Sequence, residues 1–137
     1  MAIASHRIYT ADDLLAMGSQ APYERWRGEL VEVPPSGFES SVMGGRLFVP
    51  LYLFVEQYDL GYLTNAEYGF YLSRNPDTVV APDVGFIRKE RFPLGLPTRG
   101  YCPLPPDFAA QVTSPTDEAR PIADKLALFE RAGVPLV

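Results

Sequence analysis

Apolar and polar positions recur along this chain with two periods, and the changes between them mark its elements. Thr10-Ala11-Asp12-Asp13 opens a short helix, with Thr10 as N-cap and the aspartates in the electropositive first turn. Leu14, Leu15 and Met17 give it an apolar side, and Gly18 ends it. From Trp26 to Val33 the period falls to two. Glu29, Val31 and Val33 share one face and Leu30 and Glu32 the other, which predicts a strand. Ser40 to Tyr58 returns to helical spacing with Val42, Leu47, Leu51, Phe54 and Val55. Pro50 inside it predicts a kink or a break, because an interior proline costs a helix about 3 kcal/mol. Tyr62 to Leu72 is β-rich with an interruption near Asn65, Asn75-Pro76-Asp77 is a turn, and Thr78 to Ile87 returns as the second arm of an antiparallel hairpin.

Pro34-Pro35-Ser36-Gly37 and the stretch from Pro93 to Pro106 read as loops. Asp107 to Thr113 is a further strand. Pro121 to Ala132 is a helix, with Pro121 suited to its first position and Gly133 to its end. Val134 to Val137 begins another strand. This order of helices and strands predicts a mixed α/β (α+β) fold in a single domain over residues 1–137.

Composition narrows the function classes. The 137 residues carry a formal net charge of −5, so a broad basic grip on nucleic acid is excluded as the main design. A site that meets phosphate through a bound metal remains open. Hydrophobic residues make up 47% and charged residues 21%, a folded rather than a disordered composition. With one cysteine, Cys102, there is no internal disulfide and no cysteine-rich zinc site. This fits a reducing cytoplasm. No apolar run approaches the roughly 18 residues that a membrane span needs, and the first residues lack the apolar core of a signal peptide.

Polar side chains on faces that should be buried are the candidates for chemistry. Asp83 lies in Val79-Val80-Ala81-Pro82-Asp83-Val84-Gly85-Phe86-Ile87, the most apolar strand of the chain, where an ionised carboxylate is costly unless paired or metal-bound. Gln111 stands among small residues, with Ala109 and Thr113 on its face. Lys125 falls within the stripe of Ile122, Leu126 and Phe129, which aims an ammonium at the sheet. Glu29 shares the face of Val31 and Val33 and is expected to point inward. Glu67 is expected to be exposed, and His6, Cys102 and the charges of Arg88-Lys89-Glu90-Arg91 to have no catalytic role. Carboxylates, an amide and a lysine from two strands and a helix suit metal-assisted phosphodiester hydrolysis.

Four segments carry a resemblance. Gly28-Glu29-Leu30-Val31-Glu32, Ala81-Pro82-Asp83-Val84, Gln111-Val112-Thr113-Ser114-Pro115-Thr116-Asp117 and Lys125 through Ala132-Gly133-Val134 resemble, in order and spacing, the Uma-type putative restriction endonucleases of the PD-(D/E)xK nuclease superfamily. The resemblance runs from about Tyr9 to the end of the chain. It implies a restriction-endonuclease-like central mixed sheet flanked by helices, and a Mg²⁺- or Mn²⁺-dependent DNA endonuclease. Asp83, Gln111 and Glu29 would ligate the metal, and Lys125, supplied by the helix, would orient water.

Two departures stand out. The family's pattern has a glutamate where this chain has Gln111, a change expected to weaken metal binding and impair catalysis. Relatives also continue past Pro135-Leu136-Val137 into a strand and hairpin, so the sheet is expected to lack that edge and to favour a homodimer. The alternative is a catalytically inactive homologue serving as a binding or assembly module.

Overall fold

The computed structural model describes residues 8–17, 23–32, 37–97, 99–115 and 117–137. His6, Gly18 and Pro34 to Ser36, singled out above, lie outside these. Helix α1, Ala11–Ala16, starts as its sequence dictates. Thr10 Oγ1 accepts the Asp13 N–H at 3.1 Å, and Asp13 Oδ2 accepts the Thr10 N–H at 2.8 Å.

The strand expected from Trp26 to Val33 is instead a hairpin. β1, Tyr23–Trp26, pairs antiparallel with β2, Glu29–Glu32, with Tyr23 opposite Glu32 and Trp26 opposite Glu29. Arg27 and Gly28 make the turn with φ of 50° and 85°. Two successive positive φ values match the right-handed twist of a two-residue hairpin, and glycine takes the second without strain.

Helix α2 runs unbroken from Phe38 to Gln57 through Pro50, so the break expected there does not occur. Proline removes the N–H that would have bonded the Arg46 carbonyl, and both residues are exposed, so that carbonyl is not sealed in the core.

The rest of the chain supplies β3 (Gly61–Thr64), β4 (Phe70–Ser73), β5 (Thr78–Val80), β6 (Val84–Arg88), a one-turn 3-10 helix (Lys89–Arg91), β7 (Phe108–Ala110) and helix α3 (Ala119–Arg131). They form one sheet in the order β2-β1-β5-β4 and another in the order β3-β6-β7, with every ladder antiparallel. Two isolated parallel bridges add to them, Phe70 with Cys102 and Phe108 with Leu136. The segment from Val134 thus reaches the β7 edge, where the Ala109 N–H donates to the Leu136 carbonyl at 3.0 Å. The region expected as one strand from Thr78 to Ile87 is divided. β5 closes the hairpin with β4, and Ala81-Pro82-Asp83 carries the chain into the second sheet.

Phe70, Leu72, Val80, Ile87, Cys102, Ala109, Phe129 and Val134 form the main core, which joins both sheets to α3. A smaller cluster of Ala11, Leu14 and Val79 seats α1. Gly85 on β6 is closely packed against side chains. A Cβ there would lie 2.7 Å from both the Phe70 ring and Thr64 Oγ1, and Phe70 is wholly buried. Gly85→Ala is therefore expected to destabilise by about 1–3 kcal/mol through overpacking, measured as a lower urea midpoint at unchanged slope. Among the described residues no helix is long and apolar enough to cross a membrane.

Candidate active site

β6 and β7 pair with Val84 opposite Ala110, Gly85 opposite Ala109 and Phe86 opposite Phe108. One step further along that register sets Asp83 opposite Gln111, on the face of Gly85 and Ala109. The ladder ends there because the Asp83 side chain takes over: its Oδ2 accepts the Val112 N–H at 2.6 Å. Beside it, Gln111 Oε1 is buried with no hydrogen-bond partner. A buried amide oxygen left bare costs about 1–3 kcal/mol.

Helix α3 sends two neighbouring turns toward the sheets. Phe129 is 1% exposed and joins Ile87 and Ala109 in the core. One turn earlier Lys125 is 8% exposed. Its Nζ donates to Glu24 Oε1 at 2.7 Å and to the Ala81 carbonyl at 3.0 Å, two residues before Asp83. The third N–H of this ammonium has no partner among the described residues.

Glu24, on β1, is 6% exposed. It also accepts the Ala81 N–H at 3.2 Å through Oε1 and the Trp26 indole N–H at 3.0 Å through Oε2. The buried ion pair therefore closes over 101 residues of chain and holds both the N–H and the carbonyl of Ala81. A cleft of 280 Å³ opens on Glu24 and Ala81 between Leu15 of α1, Tyr68 and Tyr101. Burial pushes both phenols above their ordinary range, so they stay protonated donors.

The sequence candidates separate accordingly. Asp83 directly precedes β6 and Gln111 directly follows β7, at the same end of that ladder. Lys125 reaches the Ala81 carbonyl, two residues before Asp83, and pairs with Glu24, which the sequence reading missed. Glu29, expected to point inward, is exposed on β2 opposite Trp26. The correction follows from the Arg27-Gly28 turn, which puts Glu24 on β1 inside the sheet and Glu29 on β2 at its edge. That two-residue glycine turn was the signal available to find it. Glu67 is exposed, as expected. Cys102 is buried and its thiol is pushed up by burial, the opposite of an activated nucleophile. In the basic cluster Lys89 pairs with Asp59, and Arg91 holds the Pro105 carbonyl at 2.6 Å and Asp107 at 3.3 Å.

The family pattern described as Uma2, putative restriction endonuclease, matches residues 11–137. The chain belongs to the Uma2 family. No curated protein matches this Uma2 chain. Among solved structures it is similar to a putative nuclease belonging to DUF820 from Anabaena variabilis ATCC 29413. The TM-score is 0.69 at 14% identity, covering 88% of this chain and 67% of that one. At this identity the likeness is one of fold: antiparallel sheets flanked by helices in a mixed α/β arrangement.

Nucleases of this kind imply a divalent metal. Among the described residues of the Uma2 chain no three His, Cys, Asp or Glu side chains gather to hold an ion by themselves. What the corner offers is one carboxylate, Asp83, and the bare oxygen of Gln111. Both are hard oxygen donors, and Mg²⁺ and Mn²⁺ accept such a sparse set because waters fill the remaining positions. The donor chemistry fits, with one negative charge fewer than two carboxylates would bring.

Proposed function

We propose that this chain is a DNA endonuclease that hydrolyses phosphodiester bonds with Mg²⁺ or Mn²⁺ held by Asp83 and Gln111. The observation that carries the reading is the unpartnered, buried Gln111 Oε1 across from a carboxylate on the end of an otherwise apolar strand. A bound divalent ion would supply Lewis-acid polarisation of the phosphoryl oxygen. The chain's own residues do the rest. Asp83 stays anchored through the Val112 N–H. Glu24 and the Ala81 carbonyl fix Lys125 so that its third N–H faces the corner, where it stabilises charge developing on the phosphate or orients the attacking water. Glu24 is thus a positioning residue rather than a ligand. The site favours DNA with a locally accessible backbone, since a net charge of −5 gives little long-range attraction. We take the working unit to be a homodimer in a reducing cytoplasm, because one such site cuts one strand and a duplex has two.

The deciding experiment incubates purified protein and Mn²⁺ with supercoiled plasmid, linear duplex and single-stranded DNA. Nicking is expected, and Asp83→Asn is expected to lower it about 100-fold or more, the scale on which losing a charge-handling group costs an active site. Intact DNA of every form would overturn the enzymatic reading. The second reading, an inactive homologue that binds or assembles, is favoured by the neutral side chain at Gln111 and by the sparse acid set. It requires no cleavage by the natural chain, together with tighter Mn²⁺ binding by calorimetry in Gln111→Glu.

A further inference from the structure

Helix α2 is apolar on two opposite sides, and the described residues cover only one of them. Ser40, Gly44, Leu47, Leu51 and Val55 recur at helical spacing along the side packed on β3 and β6, and all are half-buried or buried. On the far side Phe38, Val42, Gly45, Val49 and Leu53 recur at the same spacing. Their side chains face solvent, Phe38 at 89%, Val49 at 56% and Leu53 at 62% exposure. A helix that is hydrophobic all round belongs in an interior. The sheets lie on the opposite side and cannot cover this stripe.

We infer that the outer stripe of α2 is the contact surface of a homodimer, packed against the same helix of a second copy. This deepens the homodimer of the reading above and rests on it, but not on the chemistry of the site. With Met43 and Phe54 flanking, the stripe presents on the order of 700 Å² of apolar surface, taking large side chains at about 150–250 Å² each. That exceeds the roughly 300–600 Å² of the largest patch on a typical monomer. It approaches the roughly 800 Å² that each partner gives a stable interface.

The stripe is also self-complementary. Gly45 lies at its midpoint, and nothing comes within 4 Å of where its Cβ would be. An antiparallel copy crossing there lets the two backbones approach closely and sets Phe38 of each copy against Leu53 of the other. A two-fold axis through Gly45 closes the assembly at two chains.

Light scattering of the purified chain across the micromolar range tests this. The expected mass is twice 15.2 kDa, and Val49→Glu with Leu53→Glu is expected to return it to 15.2 kDa with helical circular dichroism unchanged. Gly45→Cys gives a second measurement that needs no charge in the helix. It is expected to cross-link into a covalent dimer under mild oxidation, while Cys102, 3% exposed, leaves the natural chain uncross-linked. A natural chain that stays monomeric overturns the inference. So does a dimer that survives both glutamates, or a Gly45→Cys chain that does not cross-link. Cleavage by a monomer would sink the interface and spare the chemistry; a dimer that cuts nothing would do the reverse.

Discussion

Lys125→Met is expected to lower the stability of the chain by about 3–5 kcal/mol, the cost of leaving one member of a buried ion pair uncompensated. Glu24 and Lys125 are among the few charged side chains excluded from solvent, at 6% and 8% exposure, and their 2.7 Å contact is the main neutraliser of each. Removing the ammonium strands a carboxylate that retains only the Ala81 and Trp26 N–H groups. The double variant Glu24→Gln with Lys125→Met is expected to recover most of the loss, because a neutral amide keeps a hydrogen-bonding role and the thioether fills the space of the lysine stem. Urea unfolding of the two single variants and the double variant gives the coupling directly. A total stability of about 5–15 kcal/mol makes the effect easy to see. A Lys125→Met protein within about 1 kcal/mol of the natural chain would show that the pair is solvated and that the corner is not the dry pocket the geometry describes.

Asp77→Ala is expected to be comparably damaging, at about 3 kcal/mol, for a related reason on the other side of β1. Arg25 is 1% exposed, and a guanidinium cannot escape burial by losing its proton. Asp77 Oδ2 lies 3.2 Å from Arg25 Nη1, close enough for ion pairing but not aligned for a hydrogen bond. Arg25 Nε and Nη1 are otherwise unpartnered. The same oxygen accepts the Ala11 N–H at 3.0 Å, so Asp77 also anchors the first turn of α1.

That N–H bond is the chief reason the Asp77 carboxyl titrates below its ordinary range. The Asn75 N–H and the charges of Arg25 and Arg74 add to the effect, and burial opposes it. A carboxyl whose folded pKa is depressed stabilises fully above the unfolded value of about 3.9 and loses that contribution as pH falls through the folded value. Asp77→Asn is therefore expected to flatten the acid limb of the stability curve below about pH 4. An acid limb unchanged in Asp77→Asn would remove Asp77 from the account of acid unfolding.

Local chemistry was the legible part of this fold. The Thr10 capping box, the Pro-rich loops, the turn between β4 and β5 and the C-terminal end of α3 follow from residues within a few positions of one another, whereas α3 starts at Ala119, two residues before the Pro121 expected to open it. Gly133 takes its place after α3 with φ of 79°. The errors arise where a distant partner or solvent decides. Trp26 to Val33 alternates well enough as one strand to mask the Arg27-Gly28 turn, which the pairing of Tyr23 with Glu32 makes plain. Pro50 leaves α2 unbroken on an exposed stretch of the helix, where the Arg46 carbonyl that loses its partner is not buried. The inward lean of Lys125 could be read from its stripe, but its partner could not, since Glu24 lies 101 residues away on a strand the alternation did not delimit. Asp83 and Gln111 were nominated separately, and it is the β6–β7 register that makes them neighbours.

The Ala81 backbone has a further consequence. Its N–H and its carbonyl are both taken by the Glu24–Lys125 pair, at 3.2 Å and 3.0 Å, at the point where the chain passes from one sheet to the other. A single amide proton is thereby locked behind the same event that frees the lysine. Its exchange with deuterium is a clock for the corner as a whole, slow while both sheets and α3 hold together and fast as soon as any one of them lets go.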